Sequence, residues 1–268
     1  MRYLLLKQNF GISMPFELIT IPCLTDNYAF ILFNVENRSA LLVDAPEADP
    51  INQVLSKNNL NLEKIFLTHH HADHVDGLDK ILEMHSAVTI GAKADIHRLP
   101  KLDEYVQPGD QFLFQGQAGK VFDVSGHTVG HIALYISAQN ILFSGDSLMA
   151  LGCGRLFEGS AEQMWQSLSS LLALPDNTQV CSGHEYTENN ASFALTIDPK
   201  NHDLMRRCEK VKLDRNKGLF TVPSELGIEK KTNPFLRPFD KKIRENLNML
   251  RSSDVEVFSK IRKLKDNF

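Results

Sequence analysis

Apolar and polar positions along the chain change rhythm near residue 186. Before that point short apolar or alternating runs dominate. Residues 16–21 alternate and predict a strand. Residues 28–33 and 40–43 flank the polar stretch 34–39, which predicts a hairpin, with Asp44 ending its second strand. Asp49 followed by Pro50 predicts a helix start, the carboxylate capping and proline at the first helical position, with the helix running to about residue 57. A buried strand at 64–67 leads into a polar cluster, then a short helix over 77–84 and a strand over 87–90. Residues 111–114, 120–124, 132–136, 141–143 and 179–181 predict further strands. Ser160 and Gln163 form a capping box opening an amphipathic helix to about residue 172. After residue 186 the apolar spacing becomes helical, over 189–195, 202–213, 241–250 and 254–264, with a second capping box at Ser253 and Glu256. Residues 221–238 carry prolines and predict an irregular connection. The pattern is a mixed α/β domain followed by a smaller helical one.

Composition narrows this picture. Of the 268 residues, 43% are hydrophobic, enough for a sizeable core. No run approaches the roughly 20 apolar residues of a membrane-spanning helix. Cys23, Cys153, Cys181 and Cys208 form no C-x-x-C pair, which argues against a disulfide framework or a thiolate metal site and for a reducing, cytoplasmic compartment. The apolar run at residues 3–6 is too short for a signal sequence, and Met14 directly precedes the first strand. Residues 1–13 are therefore expected to be an N-terminal extension. Residues 1–199 hold 11 Lys/Arg against 23 Asp/Glu, a net of −12, whereas residues 200–268 hold 18 against 10, a net of +8. A basic tail suits an anionic partner; charged helix faces would give the same sums.

The chemistry concentrates in the polar cluster after the strand at 64–67. There, H-x-H-x-D-H places His69, His71, Asp73 and His74 within six positions, and alternation on an extended backbone would aim the first two the same way. Imidazole and carboxylate at this density suit zinc or another borderline divalent metal. Three later segments, each near a strand end, set a glycine directly before a His or Asp: Gly126-His127 with Gly130-His131, Gly145-Asp146, and Gly183-His184. Crowded sites at strand ends need such sharp turns.

This set resembles the metallo-β-lactamase superfamily, whose pattern is H-x-H-x-D-H, then G-H-T-x-G-H, an Asp and a His. The resemblance implies a four-layer αβ/βα sandwich followed by a smaller C-terminal helical domain, with two divalent metal ions, zinc first and iron or manganese as alternatives. It implies that His69, His71 and His127 hold one metal, that Asp73, His74 and His184 hold the other, and that Asp146 bridges them. His70 and His131 are not ligands in this pattern, and His85, His97 and His202 have no motif support. Asp73, His74 and Asp146 form the catalytic set around a metal-activated water.

A narrower resemblance, to the hydroxyacylglutathione hydrolase (glyoxalase II) family, covers nearly the whole chain from Met14. It rests on residues 21–28, 152–159, 184–186, 221–224, 232–237 and 265–268. It implies residues 14–184 as the catalytic domain and 185–268 as a substrate-binding domain. It also implies a glutathione thioester as substrate, hydrolysed to glutathione and D-lactate. Arg155, Phe157, Tyr186, Arg262 and Lys265 are the substrate-binding positions. Three positions depart from the family pattern: Asp76 stands where a glycine is common after the histidine cluster, Arg155 where some members have lysine and Phe157 where some have tyrosine. The partner expected is that small molecule, with no nucleic acid or membrane, and the chain is expected to be a monomer. A glutathione-persulfide dioxygenase using one iron is the alternative on the same fold.

Overall fold

The computed structural model describes residues 16–268 and the backbone of residues 4–6. The chain forms two compact units, Met1–Asp123 with Gly130–Gly145, and Val124–Val129 with Asp146–Phe268. This division falls inside the stretch expected to be the catalytic domain.

In the first unit a seven-stranded sheet runs β1 (Leu4–Leu6), β2 (Phe16–Cys23), β3 (Asn27–Asn34), β4 (Ser39–Val43), β5 (Asn61–Phe66), β6 (Val88–Ala92) and β7 (Glu104–Val106) in spatial order. The expected extension, residues 1–13, lies outside the described residues except for β1, whose backbone pairs antiparallel with β2. The sheet is antiparallel as far as β4, and parallel from β4 to β7. A parallel pair needs a crossover, and α1 (Ala48–Lys57) supplies the one between β4 and β5, burying Ile51, Val54 and Leu55 on one face. Its start differs from the expected one. Glu47, not Asp49, is the N-cap residue, and its carboxylate accepts from the Leu24 backbone N–H at 2.8 Å instead of capping the helix. Two short helices, α2 (Ala72–Val75) and α3 (Leu78–Leu82), connect β5 to β6. An antiparallel meander follows: β8 (Gln111–Phe114), β9 (Gln117–Asp123), β10 (Ile132–Ile136) and β11 (Ile141–Gly145). Aromatic pairs Phe16–Phe114, Phe30–Phe143 and Phe66–Phe112 join it to the mixed sheet at ring separations of 5.7–6.1 Å.

The second unit opens with a tight hairpin, β12 (Leu148–Met149) and β13 (Gly152–Cys153), too short to announce itself in sequence. Next come α4 (Ala161–Leu171), with the expected capping box at Ser160, and β14 (Gln179–Ser182). Helices α5 (Thr187–Ile197) and α6 (His202–Asn216) follow, with Leu151, Ala191, Ala194 and Leu204 forming a buried cluster. The expected irregular stretch contains β15 (Ser224–Glu225), paired with β14, and a helix, α7 (Leu226–Thr232). The helix is obscured in sequence because its buried face includes a carboxylate, Glu229, paired with Arg207. The chain closes with α8 (Lys241–Asn246) and α9 (Asp254–Asp266), the latter capped by Ser253 and Glu256 as expected. Phe193, Phe235, Phe258 and Trp165 pack α5, the turn after α7, α9 and α4 together. Among the described residues no helix is long and apolar enough to cross a membrane.

Candidate metal centre

The first unit presents its polar cluster at the carboxyl ends of β4 and β5, where parallel strands open onto loops. Residues 67–71 are irregular rather than an extended strand, and Asp73 and His74 sit on α2. Ligand atoms of His69 and His71, of His69 and His74, and of Asp73 and His74 lie within 4.8 Å of one another.

One buried carboxylate organises this cluster, and it is a residue that sequence reasoning passed over as a strand end. Asp44 Oδ1 accepts from the Thr68 backbone N–H at 2.8 Å. Its Oδ2 accepts from Thr68 Oγ1 at 2.9 Å and pairs with His74 Nδ1 at 2.8 Å. A carboxylate only accepts, so the His74 proton sits on Nδ1 and Nε2 keeps its lone pair. Thr68 has a single hydroxyl proton and gives it to Asp44. Toward His69 Nδ1, 3.0 Å away, its oxygen can therefore only accept, which fixes the same tautomer on His69. Metal-ligating histidines are oriented in this way. Asp44 itself has φ +58°, a left-handed conformation uncommon outside Gly, Asn and Asp. Asn27 holds the Asp73 carboxylate with an N–H···O bond of 3.0 Å. His70 turns instead to Asp95 at 3.0 Å, and buried His131 stacks on His69 at 4.5 Å. Gly145, at φ +49°, leaves room for that stack: a Cβ there would lie 2.7 Å from the His131 ring.

In the second unit, His127, Asp146 and His184 are all buried. Asp146 Oδ2 lies 3.5 Å from His127 Nε2 and 3.2 Å from His184 Nε2. His127 Nδ1 donates to the Arg155 carbonyl at 2.8 Å, so its Nε2 lone pair faces a carboxylate oxygen. Such a contact needs a proton or a metal cation between the two atoms, and imidazole with carboxylate is a donor set that suits a divalent metal. The turn that supplies the Arg155 carbonyl has no slack: a Cβ on Gly154 would lie 2.0 Å from the Asp146 carbonyl oxygen and 2.9 Å from His127 Nδ1. Among the described residues, triads of His and Asp are clustered closely enough to hold metal ions.

The remaining expected positions also fall in this unit. Arg155 has a 57% exposed side chain whose Nε lies 3.5 Å from Asp266 Oδ1. Exposed Phe157 sits edge-on to His127 at 5.2 Å, and half-exposed Tyr186 stacks on His184 at 4.6 Å. Arg262 is buried against Cys153 and Asp266. Half-buried Lys265 bonds Asn189, and burial, aided by the neighbouring Arg262 charge, pushes its amine down to about 8. Burial pushes the Cys153 thiol up to about 11 and Cys181 well above its usual range, so neither is a ready thiolate.

Comparisons with known proteins agree with this geometry. The family described as "Hydroxyacylglutathione hydrolase C-terminus" matches residues 185–268, and the metallo-beta-lactamase superfamily matches residues 27–184. The hydroxyacylglutathione hydrolase of Roseobacter denitrificans is 55% identical over 255 residues, covering 95% of this chain and 100% of that protein. That of Ruegeria pomeroyi is 52% identical over the same shares. The crystal structure of BLEG-1 B3 metallo-beta-lactamase aligns with 82% of this chain and 99% of its own at a TM-score of 0.65; its 22% identity speaks to the fold alone. The fold class is the superfamily's α/β arrangement of mixed sheets and helices, with a helical region after residue 185. The chain belongs to the hydroxyacylglutathione hydrolase family of the metallo-β-lactamase superfamily.

Proposed function

We propose that this chain hydrolyses S-(2-hydroxyacyl)glutathione thioesters, chiefly S-lactoylglutathione, to glutathione and D-lactate. One observation within the second unit carries the reading. The short turn at residues 153–155 touches His127 on one side and Arg262 and Asp266 of α9 on the other, so ligand and docking groups share one element.

His69, His71 and His127 would hold one divalent ion, and Asp73, His74 and His184 a second, with Asp146 shared; zinc is the first choice, with iron or manganese as alternatives. Bound there, such ions supply a water whose pKa falls from about 15.7 toward about 7 and polarise the thioester carbonyl. The chain's own residues orient everything else. Asp44 and Thr68 keep the ligating nitrogens of His69 and His74 unprotonated, and Asn27 steadies Asp73. Asp73, His74 and Asp146 form the catalytic set. Arg155, Arg262 and Lys265 form the cationic end for the two glutathione carboxylates. Tyr186 offers a hydroxyl beside His184, and Phe157 an apolar wall beside His127. No covalent cysteine step is needed, which fits the raised Cys153 and Cys181 thiols. Residues 14–184 serve as the catalytic domain and residues 185–268 as the substrate-binding domain. The protein acts as a cytoplasmic monomer without nucleic acid or membrane; its four free cysteines suit a reducing compartment.

The test is thiol release from S-lactoylglutathione by zinc-loaded enzyme, alongside metal analysis. His69→Ala and Asp146→Ala should each abolish turnover with loss of bound metal. Full turnover in either variant, or oxygen consumption with glutathione persulfide in place of thioester hydrolysis, overturns the reading.

A further inference from the structure

His127 and the C-terminal helix both hydrogen-bond the backbone of one short turn, residues 153–155, inside the second unit. His127 Nδ1 donates to the Arg155 carbonyl at 2.8 Å. Two residues earlier in the same turn, the Cys153 carbonyl accepts from Arg262 Nη1 at 2.8 Å. Arg262 Nε and Nη2 donate to Asp266 Oδ1 at 3.1 and 3.0 Å, one helical turn away on α9. The rest of the hairpin is pinned independently. Asn233 Nδ2 donates to the Met149 and Gly152 carbonyls, Asn190 to Ala150, and Glu229 accepts from the Leu151 N–H. Arg262 secures its far end, where Gly154 already packs against Asp146 and His127 with no room for a methyl group.

We propose that Arg262 and Asp266 are positioning residues that hold the turn at 153–155 and, through the Arg155 carbonyl, fix His127 as a metal ligand. The inference rests on the proposed ligand role of His127. Exposure distinguishes the two arginines. The Arg262 side chain is 6% exposed, its short hydrogen bonds go to the protein itself, and its plane lies over Phe235 at 5.1 Å. The Arg155 side chain is more than half exposed and reaches Asp266 only at 3.5 Å. Arg155 therefore offers a ligand an exposed guanidinium, whereas Arg262, beside its docking role, braces the turn from within. Asp266 neutralises Arg262 and keeps the enclosed charge compensated. A shift of the turn by a few tenths of an ångström would lengthen the His127 bond and free the imidazole to rotate or change tautomer. Outer partners of this kind are typically worth about 10- to 100-fold in metal affinity.

The test is competition between the zinc-loaded full chain and a chelator of known affinity, with steady-state kinetics at limiting and at excess zinc. Asp266→Ala and Arg262→Lys should release one of two zinc ions at least about tenfold more readily than wild type. Their kcat should fall at limiting zinc and recover at excess. Asp266→Glu should restore most of the affinity. Arg155→Ala keeps the carbonyl and should keep wild-type zinc affinity while raising KM. Melting curves establish that each variant is folded; if Arg262→Lys is not, the exposed Asp266 position carries the test. Wild-type affinity for both zinc ions in Asp266→Ala, with only KM changed, overturns the inference and leaves the function intact. A wild-type chain that binds no divalent ion overturns the metal reading itself.

Discussion

Asp44→Asn is the sharpest perturbation of the first unit, because it changes donor chemistry at nearly constant shape. Asparagine tolerates φ near +58° as well as aspartate does, so no backbone strain is added. Its carbonyl can keep the 2.8 Å bond from the Thr68 N–H. The new amide then faces Thr68 Oγ1 and His74 Nδ1, both about 2.9 Å away in the wild type. An amide donates where the carboxylate accepted. His74 Nδ1 must become an acceptor, which moves its proton to Nε2. Thr68 now receives a hydrogen bond and can turn its own proton to His69 Nδ1, which moves that ring's proton to Nε2 as well. Both rings then present N–H where a metal needs a lone pair. At about 10- to 100-fold per lost outer partner, the penalty is about 1.4 to 2.8 kcal/mol for each ligand. Zinc affinity is read by chelator competition and the tautomers by two-bond 1H–15N correlation spectra of the imidazoles. Wild-type zinc affinity, with both rings still carrying the proton on Nδ1, refutes the reasoning.

Three residues of the second unit give further outcomes. Arg155→Ala should raise KM for S-lactoylglutathione roughly five- to tenfold, the worth of a charge-assisted hydrogen bond discounted for an exposed side chain, with little change in kcat; an unchanged KM would show that Arg155 does not meet substrate. Lys265, held down to about 8, loses its charge as pH rises through that value, so KM should climb above pH 8 and the climb should vanish in Lys265→Met. The sign for stability is opposite. Between pH 8 and the ordinary lysine range the unfolded chain binds the extra proton, so this residue's contribution to stability rises with pH there, which a Lys265→Met comparison of melting curves would detect. Ser253→Ala removes the α9 cap and should cost about 1 kcal/mol, seen as a lower Tm.

Much of the fold was written in local pattern. The runs at 132–136 and 141–143, the hairpin around 34–39 and both capping boxes appear as expected because period and cap chemistry are local properties. The His69–His74 cluster was legible for the same reason. What stayed hidden depends on partners far along the chain. Asp49 looked like a cap, but the backbone enters α1 two residues earlier, and the Glu47 carboxylate serves Leu24. Helix α7 escaped notice because a buried Glu229 breaks its apolar stripe, and the partners that explain that burial, Arg207 and the Leu151 N–H, lie 22 and 78 residues upstream. Asp44 read as a strand end, since nothing adjacent reveals that Thr68 and His74 converge on it.

The two units fix their histidines by the same rule with different acceptors, and the difference has a consequence. Asp44 is a full carboxylate, acting directly on His74 and through Thr68 on His69. The second unit uses a neutral acceptor, the Arg155 carbonyl, on His127. A carboxylate partner raises imidazole basicity more than a carbonyl does. In the proposed assignment His69 and His127 belong to one ion and His74 to the other. Damage at Asp44 should therefore weaken both ions together, whereas damage to the latch at Arg262 and Asp266 should weaken only the ion that His127 holds. Chelator titrations of Asp44→Asn and Asp266→Ala compared side by side separate these cases: two zinc equivalents lost in parallel in the first, one in the second. The same stoichiometry in both variants would mean that the ligands are not divided between two ions in this way.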